Sequence, residues 1–171
     1  MLMINSHYQK GVGLMEVLVA MLILAIAILG YAALQVRATT ATEESMKRSD
    51  ALIILNGLAE KIRLNPNGDY KEAIPEDLPD CSNGCDADDQ ALYDLKQYGD
   101  AALTKDITLG VIDCLNTSES QKRLCLIAAW NDTEAITDAK ASSEAETPEN
   151  ACLKTDGKYV SDSNCLVLEA Y

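Results

Sequence analysis

From Val17 to Val36 the chain carries no charged residue, and one carboxylate, Glu16, stands at the entrance to that run. A helix of roughly 20 apolar residues is what the hydrocarbon core of a bilayer requires. A carboxylate at the edge of such a segment is costly in lipid and marks a site whose partner must be found. Two readings of Glu16 are open. Its side chain escapes into water, or it pairs with an amine that is also out of water. Lys10 and Gly11 stand just before the run. An ordinary secretory signal is cut after its apolar region, at small residues. Here the apolar run continues into a helical pattern with no such site. A cut after Gly11 instead leaves the run on the mature chain and creates an α-amino group on Val12, one helical turn from Glu16.

The 171 residues leave room for one modest soluble domain after the apolar run. Charge is unevenly shared. The first 37 residues hold Lys10, Glu16 and Arg37, so a total of -13 places -14 on residues 38 to 171. Such a domain has no electrostatic footprint for nucleic acid or for an anionic membrane surface. All six cysteines, Cys81, Cys85, Cys114, Cys125, Cys152 and Cys165, follow the apolar run. An even count in an exported domain reads as three disulfides, of many possible connectivities. The acidic, cysteine-bearing bulk favours export, with the N-terminus cytoplasmic.

No proline occurs before Pro66, and between residues 12 and 64 only Gly13, Gly30 and Gly57 interrupt good helix formers. A helix over that span would be roughly 80 Å long. Its first half is apolar all round. Its second half is amphipathic, with Ala51, Leu55, Leu58 and Ile62 at helical spacing and Leu52 and Ala59 widening the stripe. Glu43 with Lys47, and Glu44 with Arg48, are i,i+4 pairs that suggest a solvated face. Asn65-Pro66-Asn67-Gly68 stops the helix. A short helix is expected from about 88 to 103, capped by Asp86 or Asp88, with Leu92, Leu95, Ala102 and Leu103 inward. Strands are expected at 107–114, 123–130 and 166–170, with a polar turn at 116–121 and a long exposed loop at 132–151.

The only histidine, His7, precedes Gly11, so histidine triads and histidine metal sites are excluded from a chain cut there. No nucleophile-elbow pattern surrounds any serine, and no catalytic residue is assigned. The carboxylates at 86–89 do not match an EF-hand loop and read as helix capping, so no metal or other cofactor is expected. Trp130 reads as core or strand-end packing.

Residues 10 to 36 resemble the N-terminal motif of type IV prepilins: Lys10-Gly11, then an apolar helix with Glu16. The likeness extends through Glu16-Val17-Leu18-Val19-Ala20, Leu29-Gly30-Tyr31-Ala32-Ala33-Leu34-Gln35 and Leu58-Ala59-Glu60-Lys61-Ile62-Arg63-Leu64-Asn65-Pro66-Asn67-Gly68. Over residues 10 to 68 the chain is similar to the PilV-type minor pilins. Val12 stands where that family usually has phenylalanine. The resemblance implies a prepilin peptidase that cuts between Gly11 and Val12 and methylates the new amine of Val12. It also implies that Glu16 neutralises the amine of a neighbouring subunit during assembly. The two sequons, Asn116-Thr117-Ser118 and Asn131-Asp132-Thr133, carry no role in a bacterial protein of this kind.

The resulting expectation is an α+β, type IV pilin-like fold: a long helix on a small antiparallel sheet, with disulfides stapling the loops. Residues 1–11 would be the leader, 12–66 the helix (12–36 transmembrane and fibre core, 37–66 amphipathic) and 67–171 the periplasmic domain. Cys114 and Cys125 flank one polar turn, and a hairpin centred near Glu119-Ser120 would bring them together. Cys152 with Cys165 suits a loop staple like that of pilin C-terminal regions, which leaves Cys81 with Cys85. The expected function is structural: a minor pilin of the inner membrane and then the fibre, which helps start assembly. Its expected partners are other minor pilins, the major pilin, the prepilin peptidase and a tip adhesin. Rival readings are a minor pseudopilin of a type II secretion system and an adhesive tip module using the 132–151 loop.

Overall fold

A computed structural model describes residues 13–82, 84–115, 117, 123–137 and 150–170. The chain falls into two compact units, residues 1–43 and 44–171. The first helix, α1, spans Leu14–Leu64. In the first unit every described residue of α1 is exposed, as a helix that is apolar all round must be when nothing surrounds it. Thr39, Thr40 and Thr42 return their hydroxyls to the carbonyls of Val36 and Ala38 one turn back, so these three donors are satisfied within the helix. α1 ends one residue before the Asn65-Pro66 step.

The second unit is built on a three-stranded antiparallel sheet. Strands β1 (Ile107–Asp113), β2 (Leu124–Trp130) and β5 (Cys165–Ala170) lie in the order β1-β2-β5. β2 is the centre strand and is covered on both faces. Its Leu126, Ala128 and Trp130 join Ala51, Leu55, Leu58 and Ile62 of α1 in the main core. That core also takes Ala91, Leu95 and Ala102 of α2, which spans Ala87–Leu103. The alternate residues, Ile127 and Ala129, face a second cluster with Ala135, Cys152 and Leu153. This two-sided burial explains why Leu124–Trp130 reads as a continuous apolar run rather than a clean alternation.

The second cluster is roofed by β3 (Glu134–Thr137) and β4 (Ala151–Leu153), which pair in parallel. This corrects the exposed-loop expectation for 132–151: its two ends are paired strands with Thr133, Ala135 and Thr137 buried. Residues 138–149 of that loop lie outside the described residues. The roof comes close because β1 carries Gly110 beneath it. An added Cβ at Gly110 would overlap the Ala135 carbonyl oxygen. Small side chains on a short strand carry little β signal, so the pattern gave no strand here.

Two helix-face assignments also change. Leu52 is 46% exposed and Ile54 takes its place in the core, because Leu52 falls just outside the arc shared by Ala51, Leu55, Leu58 and Ile62. Leu103 is 61% exposed, on the shoulder of the α2 face that Ala102 buries. Asp86 caps α2, accepting from the backbone N–H groups of Asp88 and Asp89. The expected turn at 116–121, with its centre at Glu119-Ser120, lies almost wholly outside the described residues.

A buried charge fixes α2 against α1. Asp94 is 1% exposed and accepts from the Tyr70 hydroxyl at 3.0 Å and from Gln90 Nε2 at 3.1 Å. Lys61 Nζ of α1 lies 3.3 Å from Oδ1, the oxygen that also accepts from Gln90. Burial, reinforced by the carboxylate, pushes the Tyr70 phenol up to about 12. A buried carboxylate is tolerable only with such partners.

Candidate functional site

Glu16 lies in the first turn of α1. Its backbone N–H donates to the Gly13 carbonyl at 2.9 Å, so the helix is already wound at the carboxylate's position. A negative side chain in a first turn also complements the helix dipole. Glu16, Val17, Ala20, Met21 and Leu24 line one shallow concavity of about 350 Å³ on the helix surface. Around them Leu18, Leu22 and Leu29 are 54%, 60% and 71% exposed. So large an exposed apolar surface marks a membrane or a partner interface. By length and composition α1 can cross a membrane. The arrangement can hold one negative charge at the end of an apolar cylinder, where an amine from elsewhere would be neutralised. Gly11 and Val12, where cutting and methylation are expected, lie outside the described residues.

Three disulfides staple the second unit: Cys81–Cys85, Cys114–Cys125 and Cys152–Cys165. Cys114 and Cys125 are not directly opposed. Ile112 is the register partner of Cys125, and the Cys114 N–H donates to the Arg123 carbonyl at 2.8 Å. The bond therefore runs diagonally across the β1–β2 ladder. Cys152 ties β4 to the start of β5, so this bond holds the roof to the main sheet. Gly84 (φ 95°) and Gly157 (φ 80°) supply left-handed turns in the loops that Cys81–Cys85 and Cys152–Cys165 close.

Among the described residues, Cys114, Cys125 and Glu169 group as potential metal donors. Both sulfurs are committed to one disulfide, so the group cannot supply thiolates to an ion. The Asp86 carboxylate is likewise used as a cap.

Sequence reasoning missed the role of Glu44. Besides its helix pair with Arg48 at 2.9 Å, it accepts from the indole N–H of buried Trp130 at 2.9 Å. The indole hydrogen bond holds the Glu44 carboxyl below the usual carboxylate range. Its contribution to stability is therefore present above the ordinary carboxylate pKa and is lost as pH falls through the lowered one. Lys47 also departs from the expected pairing with Glu43. It donates to the Lys105 carbonyl, two residues past the end of α2, and lies 3.4 Å from Asp106. A polar face that looked solvated is thus partly used to seat the domain. No local sequence signal joins residues so far apart.

Comparison with known proteins divides the N-terminal half between two families. Residues 6–32 match the prokaryotic N-terminal methylation motif. Residues 33–96 match the family described as type IV pilin Tt1218. No curated protein and no solved structure matches the chain. The two families meet inside α1, the methylation motif covering the Glu16 concavity and the pilin family covering the amphipathic stretch, the Asn65-Pro66 stop and most of α2. A long helix whose second half packs on a disulfide-stapled antiparallel sheet, behind a methylation motif, has the type IV pilin fold, and the matched stretches of this chain are similar to a type IV pilin-like family.

Proposed function

We propose that this chain is a minor pilin of the PilV type that helps start type IV pilus assembly and is then built into the fibre. The observation that carries the reading is the apolar first half of α1, exposed on every side with Glu16 at its entrance. Such a surface needs lipid before assembly and other helices after it. In this reading prepilin peptidase cuts between Gly11 and Val12 and methylates Val12. The helix at 12–36 holds the chain in the inner membrane with the second unit in the periplasm. Other minor pilins, the major pilin and a tip adhesin are its partners. A unit whose residues 38–171 carry -14 favours no nucleic-acid contact of the fibre through this subunit.

Deleting the chain tests the priming role. Surface fibre number, counted by electron microscopy in a strain that cannot retract its pili, should fall at least several-fold and recover on complementation. Immunogold should label a few sites per fibre. Unchanged fibre number, or labelling along the whole fibre, would exclude a priming minor subunit. Loss of protein secretion with normal pili would move the chain to a type II secretion pseudopilus.

A further inference from the structure

The two outer edges of the three-stranded sheet are finished differently. On β5 the Val167 N–H is taken by the Tyr159 hydroxyl at 3.2 Å, and the strand carries Glu169 in an ion pair with Arg123. β1 has β2 on one side and, among the described residues, no strand on the other. Its sequence, Ile107 to Asp113, holds neither proline nor lysine, and its one charge is the terminal Asp113. Native proteins ordinarily blunt such an edge with charge, proline or a covering segment. Here residues 71–76 face the edge, yet among the described residues no backbone hydrogen bond joins them to β1. The gap holds two cavities of about 230 and 480 Å³ that share Ile74 and Leu109. An open ladder beside two apolar cavities fits an extended chain, whose alternate side chains would fill them.

Charge selects the occupant. Lys71 is paired with Asp113, outside the lining, and Lys96 with Asp100, so Glu72 and Glu76 are the lining carboxylates that no ion pair among the described residues neutralises. The surrounding residues 38–171 carry -14, so a second copy of this unit would meet strong like-charge repulsion. We propose that the free edge of β1 docks an extended, lysine- or arginine-bearing segment of a different subunit, added as a strand with apolar residues in the Ile74–Leu109 cavities. The source of the guest rests on the assembly role proposed above; the groove and its chemistry do not.

The test uses the whole chain in non-ionic detergent. A fluorescein-labelled peptide, Lys-Val-Thr-Val-Thr-Val-Lys, is titrated by anisotropy beside the same peptide with glutamates for its lysines. The lysine peptide should bind saturably and at least tenfold more tightly than the glutamate peptide. Val111→Pro should weaken it at least tenfold with Trp130 fluorescence unchanged. Glu72→Lys with Glu76→Lys should reverse the preference, which keeps the test intact where the proline variant misfolds. Equal affinity for both peptides, or no binding, would overturn the proposal. In cells, a photo-crosslinking residue at exposed Thr108 should give an adduct with a different protein; an adduct only with this chain would overturn it too. Failure of the peptide arms leaves N-terminal processing untouched, and an unprocessed chain leaves the peptide result standing.

Discussion

Glu16→Leu is expected to insert and to be cut, yet to enter fibres at least about tenfold less well than the parent, because an amine left unpaired out of water costs several kcal/mol. Glu16→Gln should be nearly as poor. It keeps the shape and hydrogen-bonding capacity of the side chain but removes the charge that an amine in apolar surroundings needs. The contrast matters because α1 offers that amine no second partner nearby: from Val17 to Val36 there is no other charge. Immunoblots of sheared fibres, set against membrane fractions of the same cells, read both steps. Normal incorporation of both variants would show that the carboxylate merely sits in water at the interface.

The second large effect concerns the disulfides. Replacing both Cys152 and Cys165, or both Cys114 and Cys125, with alanine is expected to cost about 3 kcal/mol each by the chain-entropy model. A domain of this size holds only about 5–15 kcal/mol in all, so either pair is a large share. Loss of Cys152–Cys165 should do further damage, since it frees the β3–β4 roof from the sheet and Cys152 itself is fully buried. Loss of Cys81–Cys85 should cost least. It closes a short loop, and neither cysteine belongs to a core cluster. Trp130, the only tryptophan and 1% exposed, reports unfolding of this unit by fluorescence in urea. An order with Cys81–Cys85 first, or no effect from any pair, would mean that the core alone carries the fold.

What could be read in the sequence follows a physical division. α1 was legible because one period, one apolar run and one proline stop act locally. β1, β2 and β5 were legible because alternation or an apolar run marked each. The Cys114–Cys125 proximity followed from the same alternation, although its diagonal path across the ladder did not. The β3–β4 pair was invisible because alanine and threonine make the buried face of β3, β4 is only three residues long, and their closeness to the sheet depends on Gly110 in another strand. Nothing local in the sequence marks Asp94 as interior; Lys61 and Tyr70, far away in sequence, supply its partners. Glu44 was misjudged for the same reason, its partner Trp130 being a residue of β2. At the assembly site the situation is reversed. Glu16 stands out in the sequence because its neighbours are apolar, while a single subunit cannot display the amine that would complete the pair.

The claim on which the rest depends is that this chain is processed as a prepilin. Mass spectrometry of the membrane-extracted protein reads it directly. The N-terminal peptide should begin at Val12 and carry one added methyl group on its α-amine. It should revert to a chain retaining residues 1–11 when Gly11→Glu removes the small residue at the cut. A mature protein that keeps Met1 to Gly11 in the parent strain would contradict the account at its root.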